Sequence, residues 1–169
     1  MTSESAIAKG RALSESSAEA AIVYFRRLAD ACPEDGRVHF ELASVLDGAS
    51  REAEAIPQYQ KALDLGLTAE DRAGALLGLG SSLRVVGKYK EAIELLKDAV
   101  KEFPDHRPLK AFQALARIYA GIESDSAIDQ LNCLLVEGQL GVYEAVLRRY
   151  AVEVTQVSSA MPGSVRRSK

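Results

Sequence analysis

The chain has 169 residues, of which 47% are hydrophobic and 6% aromatic, and its formal net charge is −3. This length is enough for one domain with a core of its own, and the slight negative charge argues against recruitment to nucleic acid or an anionic membrane by bulk electrostatics. No run approaches the ~20 apolar residues of a membrane helix, and the first residues lack the apolar segment of a signal peptide. We therefore expect a cytoplasmic protein that does not enter a membrane.

The first third of the chain shows helix starts and stops but no alternating strand pattern. Ser16 or Ser17 is placed to cap a helix that runs to about residue 31. Asp35 is placed to open the next helix, and Ser50 to cap the one after it. Pro57 falls inside that last helix, where it removes a backbone hydrogen bond and should produce a kink.

The clearest pattern lies in residues 73–104, which predict two amphipathic helices joined by a tight turn. Small and apolar residues recur there every three or four positions, which places them on one face of each helix. They are Leu76, Leu79, Gly80, Leu83 and Val86 in the first helix, and Tyr89, Ala92, Ile93, Leu96, Ala99, Val100 and Phe103 in the second. Gly87 lies between the two helices, where a glycine can take the left-handed conformation that ends a helix. Two helices can approach closely at the small residues Gly80, Ala92 and Ala99.

Gly80, Tyr89, Ala92, Ala99 and Pro104 together resemble the small, aromatic, small, small, proline signature of the tetratricopeptide repeat, a helical hairpin of about 34 residues. Looser copies precede and follow it, and the chain over roughly 35–136 is similar to a small bacterial family with the group 5 tetratricopeptide repeat domain. The resemblance implies an all-α fold, a right-handed superhelical stack of antiparallel helical hairpins with a C-terminal capping helix. The expected divisions are a single domain over 1–157, with hairpins at about 3–33, 35–65, 69–104 and 107–137 and a terminal helix at about 140–157, followed by a disordered tail over 158–169.

The inner side of such a stack is where a ligand is expected, because the first helix of each hairpin lines a concave surface. Once the leucines and small residues are assigned to the core, one face remains on each first helix. These faces carry Arg37, Phe40, Ser44 and Asp47, then Leu77, Ser81 and Arg84, then Lys110, Gln113 and Arg117. Four of these residues are basic and one is acidic. We therefore predict a groove that favours an acidic peptide or a free C-terminal carboxylate; the alternative is a solvated face without a ligand.

The last predicted helix carries a heptad-like seam, in which apolar residues advance alternately by three and four positions. The seam consists of Tyr143, Leu147, Tyr150 and Val154. A terminal helix normally shows a polar outer face to solvent, and this helix is more apolar than capping requires. The seam is interpreted as a homodimer contact, which the resemblance also implies; the alternative is that it covers the last hairpin.

The sequence offers no convincing set of catalytic or ligating residues. Neither His39 nor His106 has a partner at metal-ligand spacing, and no glycine-rich phosphate loop follows a strand. Cys32 and Cys133 belong to separate hairpins, and each hairpin of a repeat stack contacts mainly its neighbours, so free thiols in a reducing compartment are expected. We predict no enzymatic activity, no cofactor and no metal.

Two functions are compatible with this pattern. The first is a non-enzymatic protein–protein interaction module that binds a peptide or partner protein in the concave groove and self-associates. The alternative is a nucleic-acid-associated regulator that uses the basic groove residues together with Arg166, Arg167 and Lys169 of the tail. Binding of that second kind should weaken steeply with salt.

Overall fold

The computed structural model describes residues 3–160 of the chain. Within this range lie nine α-helices, one short 3-10 helix and no strand. The α-helices are α1 Ser3–Ser16, α2 Ala18–Ala31, α3 Gly36–Gly48, α4 Glu52–Leu65, α5 Ala69–Val85, α6 Tyr89–Glu102, α7 Arg107–Tyr119, α8 Ser124–Glu137 and α9 Glu144–Ala160, and the 3-10 helix is Gly141–Tyr143. The expected all-α stack of helical hairpins is confirmed. No helix in the described range is long and apolar enough to cross a lipid bilayer.

Local side chains set several of the helix starts. The Ser17 hydroxyl oxygen accepts a hydrogen bond from the third residue of its helix, and the Asp35 carboxylate accepts two at the start of α3, as predicted. The prediction for Ser50 was wrong, because α4 begins after Arg51 and Ser50 instead takes a φ of 59° in the preceding turn. Pro57 lies inside α4, as expected.

Small residues let the helices pack closely at several contacts. A Cβ atom added to Gly80 would lie 2.6 Å from the Leu96 side chain, so α5 and α6 meet there with no room for a methyl group. Ala92 is fully buried beside this contact. Gly78 allows the same close approach between α5 and α4 of the preceding hairpin, since a Cβ atom there would overlap the ring of Tyr59. Close packing of this kind fixes the angle between neighbouring helices.

Successive hairpins stack so that their first helices α1, α3, α5 and α7 lie side by side. The face that these four helices turn away from the second helices is called the inner surface below. The apolar core runs through every hairpin between the two layers. Its largest fully buried side chains include Phe25, Leu46, Leu96, Leu115 and Leu131.

The terminal helix α9 packs against α7 and α8. At its start the ring of Tyr143 meets Phe112 edge to face, with centroids 5.9 Å apart, and the guanidinium of Arg148 donates a hydrogen bond to the backbone carbonyl of Leu135 at 3.2 Å. The helix continues to Ala160, so the first three residues of the predicted tail 158–169 are helical. The remainder of that prediction lies outside the described residues.

Candidate functional site

The inner surface is open between α1 and α3, where a cleft of about 500 Å³ lies. Its lining includes Arg11, Ser14, Phe40, Glu41, Ser44 and Val45. Ser44 is exposed, while the Phe40 ring is half-buried against Tyr59, with centroids 6.2 Å apart. The cleft therefore combines one aromatic wall with an accessible polar side chain, and both belong to the residues predicted from the sequence.

One wall of this cleft is held by a charged pair. The Nε–H group of Arg11 is shared between the two oxygens of the Glu41 carboxylate, at 3.0 and 3.1 Å, and Nη2 donates a further hydrogen bond to it. Glu41 is 5% exposed, whereas the Arg11 side chain is largely exposed. A fork of this geometry fixes the orientation of both groups, so α1 is anchored to α3 at the edge of the cleft.

Two of the four predicted basic residues of the groove form ion pairs within the chain. Arg37 lies 3.8 Å from the Asp71 carboxylate and 3.9 Å from that of Glu4. Arg117 forms an ion pair with Glu123. Ser81, Lys110 and Gln113 are half-buried on α5 and α7. The positive character expected of this surface is therefore weaker than the residue types alone indicate.

A larger cleft, of about 750 Å³, shares Arg37 with the predicted groove. The loops that enter α3 and α5 form it, and Arg37 and Asp71 are among its lining residues. Its size alone does not make it a binding site, because it joins two chain-reversal loops and gathers no set of buried polar side chains.

The other half of the inner surface, over α5 and α7, is closed, and two of the predicted groove residues are buried there. Leu77 is 3% exposed and Arg84 is 5% exposed, so neither side chain is presented to a ligand in this arrangement. The Arg84 guanidinium lies between two aromatic rings, 4.8 Å from the Tyr119 centroid and 4.5 Å from the Tyr150 centroid. Tyr150 belongs to α9, which thus reaches across α7 to a side chain of α5.

Arg84 is poorly satisfied in this position. Its Nε and Nη2 atoms are buried and donate no hydrogen bond. Asp47 is nearby, but its carboxylate accepts hydrogen bonds from the hydroxyls of Ser82, at 3.2 Å, and Tyr59, at 3.5 Å. Burial raises the pKa of Asp47 to about 6, although the Ser82 hydrogen bond and the charge of Arg84 both act to lower it. The site therefore holds a buried cation and a carboxylate that do not pair with each other.

The seam predicted as a dimer contact faces the chain's own hairpins. Leu147 is fully buried and Val154 is 6% exposed. Tyr143 packs on Phe112, and Tyr150 on Arg84, as described above. These four side chains therefore pack within the chain and do not form a free surface. A short linker keeps α9 at high effective concentration beside its own stack, which favours this packing.

The role of Tyr119 in this arrangement was missed from the sequence. Its ring centroid lies 4.8 Å from the guanidinium carbon of Arg84. Burial raises the pKa of its hydroxyl. The sequence pattern assigned Tyr119 to a repeat position on α7, and it carried no signal that a later helix would pack there.

The two histidines form local hydrogen bonds, and the two cysteines form no disulfide bond. The ring nitrogens of His39 lie 2.8 Å from the side-chain oxygen of Gln58 and 3.0 Å from a backbone carbonyl. His106 caps α7 by accepting a backbone N–H at 3.3 Å. Cys32 and Cys133 are both free thiols. No group of three His, Cys, Asp or Glu residues capable of holding a metal ion occurs in the described part of the chain.

A family model described as "Tetratrico peptide repeat" matches residues 36–154. The chain belongs to the tetratricopeptide repeat family. The match begins at α3 and reaches into α9. It therefore includes α3, which forms one wall of the open cleft, the helices α5 and α7 of the closed half, and most of α9. Tetratricopeptide repeat stacks are protein–protein interaction modules as a class.

Solved structures of several tetratricopeptide repeat proteins are similar to the chain in fold. YrrB, described as a TPR protein with an unusual peptide-binding site, is 16% identical with a TM-score of 0.63, over 93% of this chain and 78% of its own. MamA from Desulfovibrio magneticus RS-1 is 16% identical with a TM-score of 0.61, over 94% and 98%. PilF of Pseudomonas aeruginosa is 20% identical with a TM-score of 0.64, over 97% and 78%. A sequence search of the curated proteins finds no match.

Proposed function

We propose that this tetratricopeptide repeat protein is a non-enzymatic module that binds a segment of a partner protein on its inner surface, and that the cleft between α1 and α3 is the first point of contact. The observation that carries the proposal is the exposed Ser44 beside the half-buried ring of Phe40, in a cleft of about 500 Å³ on the surface that repeat stacks use for binding. An aromatic wall beside a polar group is the usual composition of a peptide site.

The partner segment is proposed to carry acidic side chains. Arg11 and Arg37 border the open half of the inner surface, and both side chains keep substantial exposure, 54% and 38%. Each already contacts carboxylates of the chain itself. A partner carboxylate would therefore exchange with them or join them, and exposed exchange of this kind adds little affinity. Acidity should affect the rate and salt dependence of association more than its strength.

Site-specific photo-crosslinking in the native cell tests the proposal. A photoreactive residue in place of Ser44 should yield adducts with a partner protein. The same residue in place of Lys97, an exposed position on the second helix of its hairpin, serves as the matched control. Adducts at Ser44 that are absent at Lys97 are expected. Equal labelling at both positions would show that the cleft is not the binding surface.

Self-association through the seam remains a prediction, and the packing of α9 adds a condition to it. Because Leu147 and Val154 are buried within the chain, a dimer built on the predicted seam would need α9 to leave its own stack. Light scattering of the full chain over a range of concentrations measures this directly. A constant monomer mass would remove the seam as a dimer contact.

The nucleic-acid alternative is not proposed. Its basic strip consists of Arg37, Arg84, Lys110 and Arg117, of which Arg37 and Arg117 are ion-paired, Arg84 is buried and Lys110 is half-buried. Cations that are already ion-paired or buried release few counterions from a nucleic acid. The basic residues of the tail lie outside the described range.

A further inference from the structure

Asp47 lies at the C-terminal end of α3, on the boundary between the open and closed halves of the inner surface. Its carboxylate accepts hydrogen bonds from two neutral hydroxyls, that of Ser82 at 3.2 Å and that of Tyr59 at 3.5 Å. Arg84 is the nearby cation, but its buried Nε and Nη2 atoms donate no hydrogen bond. Burial disfavours an ionised carboxylate unless charged partners or strong hydrogen bonds compensate, and two neutral donors compensate only in part. The closed arrangement therefore opposes the ionisation of Asp47.

The segment from Tyr143 to Val154, called the cover below, reaches both Asp47 and Arg84. At its start, burial and the nearby charge of Asp47 raise the pKa of the Tyr143 hydroxyl. Seven residues later the ring of Tyr150 lies over Arg84, with the ring centroid 4.5 Å from the guanidinium carbon. Removal of the cover would let water reach Asp47 and Arg84. Hydration favours the ionised form of a carboxyl group, so the charge of Asp47 and the position of the cover are linked.

The cover is joined to α8 by a turn that can act as a hinge. Gly138, Gln139 and Gly141 have φ values of 73°, 62° and 57°, and Leu140 between them is fully buried. Leu140 anchors the turn on the stack, whereas Gly141 has the backbone freedom of a residue without a side chain. Beyond it the cover is held mainly by packing, with Leu147 fully buried. The cover can therefore separate while the four hairpins keep their own packing.

The titratable and charged groups that face Asp47 come from three elements. They are Tyr59 and Glu52 of α4, Arg84 of α5 and Tyr143 of the 3-10 helix. Burial and the charge of Asp47 raise the pKa of both tyrosine hydroxyls, so both stay neutral in the pH range in which Asp47 titrates. Burial raises the pKa of Asp47 to about 6; the charge of Glu52 adds to this effect and the charge of Arg84 opposes it. Asp47 therefore changes its charge near pH 6.

We propose that residues 143–154 form a pH-sensitive cover of the inner surface, which closes over α5 and α7 when Asp47 is protonated and opens when Asp47 is ionised. The sign follows from linkage, because the closed state binds a proton that the hydrated open state releases, so a rise in pH favours opening. This inference rests on the proposed function for its use. A partner segment at the α1 and α3 cleft would find the rest of the inner surface accessible at higher pH and covered at lower pH.

Hydrogen exchange on the full chain tests the cover directly. Exchange is measured at about pH 5 and about pH 7.5, and each rate is divided by the intrinsic rate of that amide at the same pH. The protection of amides 147–154 should fall by roughly three- to tenfold at the higher pH, while the amides of α5 and α7 stay more strongly protected. Protection of the cover that is unchanged or greater at the higher pH would overturn the proposal, as would its loss only together with that of α5 and α7.

Two substitutions show whether Asp47 is the responsible group. Asp47→Asn removes the titrating proton at nearly constant size and should abolish the pH dependence of protection in the cover. Asp98→Asn, at an exposed position of α6, is the matched control and should retain it. A pH dependence in Asp47→Asn equal to that of the parent would overturn the assignment.

A reciprocal measurement serves if Asp47→Asn does not fold. The double variant Leu147→Ala/Val154→Ala removes two buried aliphatic contacts of the cover and should open it. The pKa of Asp47, titrated by NMR, should then be lower than in the parent, because the open state hydrates the carboxylate. An equal or higher pKa would overturn the link. None of these measurements involves a partner, so their failure would remove the pH response and leave the proposed function to the crosslinking at Ser44.

Discussion

The two halves of the inner surface are built from the same kind of helix and end in different states. Over α1 and α3 the surface is open, with Ser44 exposed at a cleft. Over α5 and α7 it is closed, with Arg84 buried beneath Tyr150 of α9. Residues at equivalent faces of successive hairpins thus differ because of the side chains packed on them, which for Arg84 are Tyr119 of α7 and Tyr150 of α9. Exposure in a repeat stack is decided by what packs on the stack, and not by the repeat itself.

The largest effect should come from the packing that both halves share. Leu96→Ala removes a fully buried side chain that lies against Gly80, and we expect a loss of about 2–5 kcal/mol in the free energy of unfolding. Urea denaturation followed by circular dichroism measures it. Leu147→Ala is the matched change in α9, also at a fully buried position. It should raise hydrogen exchange in α9 and leave that of α6 unchanged; an equal global loss would show that α9 and the hairpins form one cooperative unit.

A second change tests the close approach of helices within a hairpin. Ala92 is fully buried, so Ala92→Leu should destabilise the protein by about 1–3 kcal/mol through overpacking. Ala92→Ser is the control, because it changes the same residue but adds little volume. A melting temperature of Ala92→Leu equal to that of the parent would mean that the register of the α5 and α6 hairpin is wrong.

The boundary between the two halves, where the Asp47 carboxylate of α3 accepts a hydrogen bond from Ser82 of α5, should make the stability depend on pH. The pKa of Asp47 in the folded chain is about 6, above the ordinary value of 3.8, so the folded state binds more protons between these values. The free energy of unfolding therefore falls as pH rises from about 4 to 6, by about 1–2 kcal/mol for this half-buried group. Asp47→Asn should flatten that segment of the profile.

Asp98 provides a comparison, because its carboxyl group should affect the pH profile with the opposite sign. The hydrogen bond and charge of Lys101 lower the pKa of its carboxyl, so its contribution has the opposite sign and is lost as pH falls. An Asp47→Asn profile identical to that of the parent would show that Asp47 is not the group responsible.

The smallest change in stability is expected from Arg84→Met. The methionine keeps an apolar stem between the two tyrosines and removes a buried charge without hydrogen-bond partners. We expect a difference within about 1 kcal/mol of the parent, in either direction. The clearer consequence is electrostatic: because the charge of Arg84 lowers the pKa of Asp47, the Asp47 titration should move to higher pH. A loss of several kcal/mol would show that the cation is well stabilised where it lies.

Much of the fold could be predicted because its determinants are local. Gly80, Ala92 and Ala99 recur at the spacing of touching helices, and the structure buries all three. Ser17 and Asp35 cap the helices that they were expected to cap. Ser50 did not, because the turn before α4 uses its backbone in a left-handed conformation that residue type alone does not indicate.

The candidate site could be predicted only in part. Phe40 and Ser44 lie on the face of α3 that was not assigned to the core, and they line the open cleft. Leu77 and Arg84 satisfied the same criterion and are buried. The criterion fails for them because helical periodicity identifies one face relative to its own axis. It carries no information on which other helices will pack against that face.

The sequence by itself determined the helical hairpins and their order, because three- and four-residue spacing, caps and small residues act within one or two neighbouring helices. Only the tertiary structure decided that α9 turns its seam inward and covers Arg84. That outcome depends on the direction of the turn at Gly138, Gln139 and Gly141 and on contacts among α5, α7 and α9, which no local pattern contains.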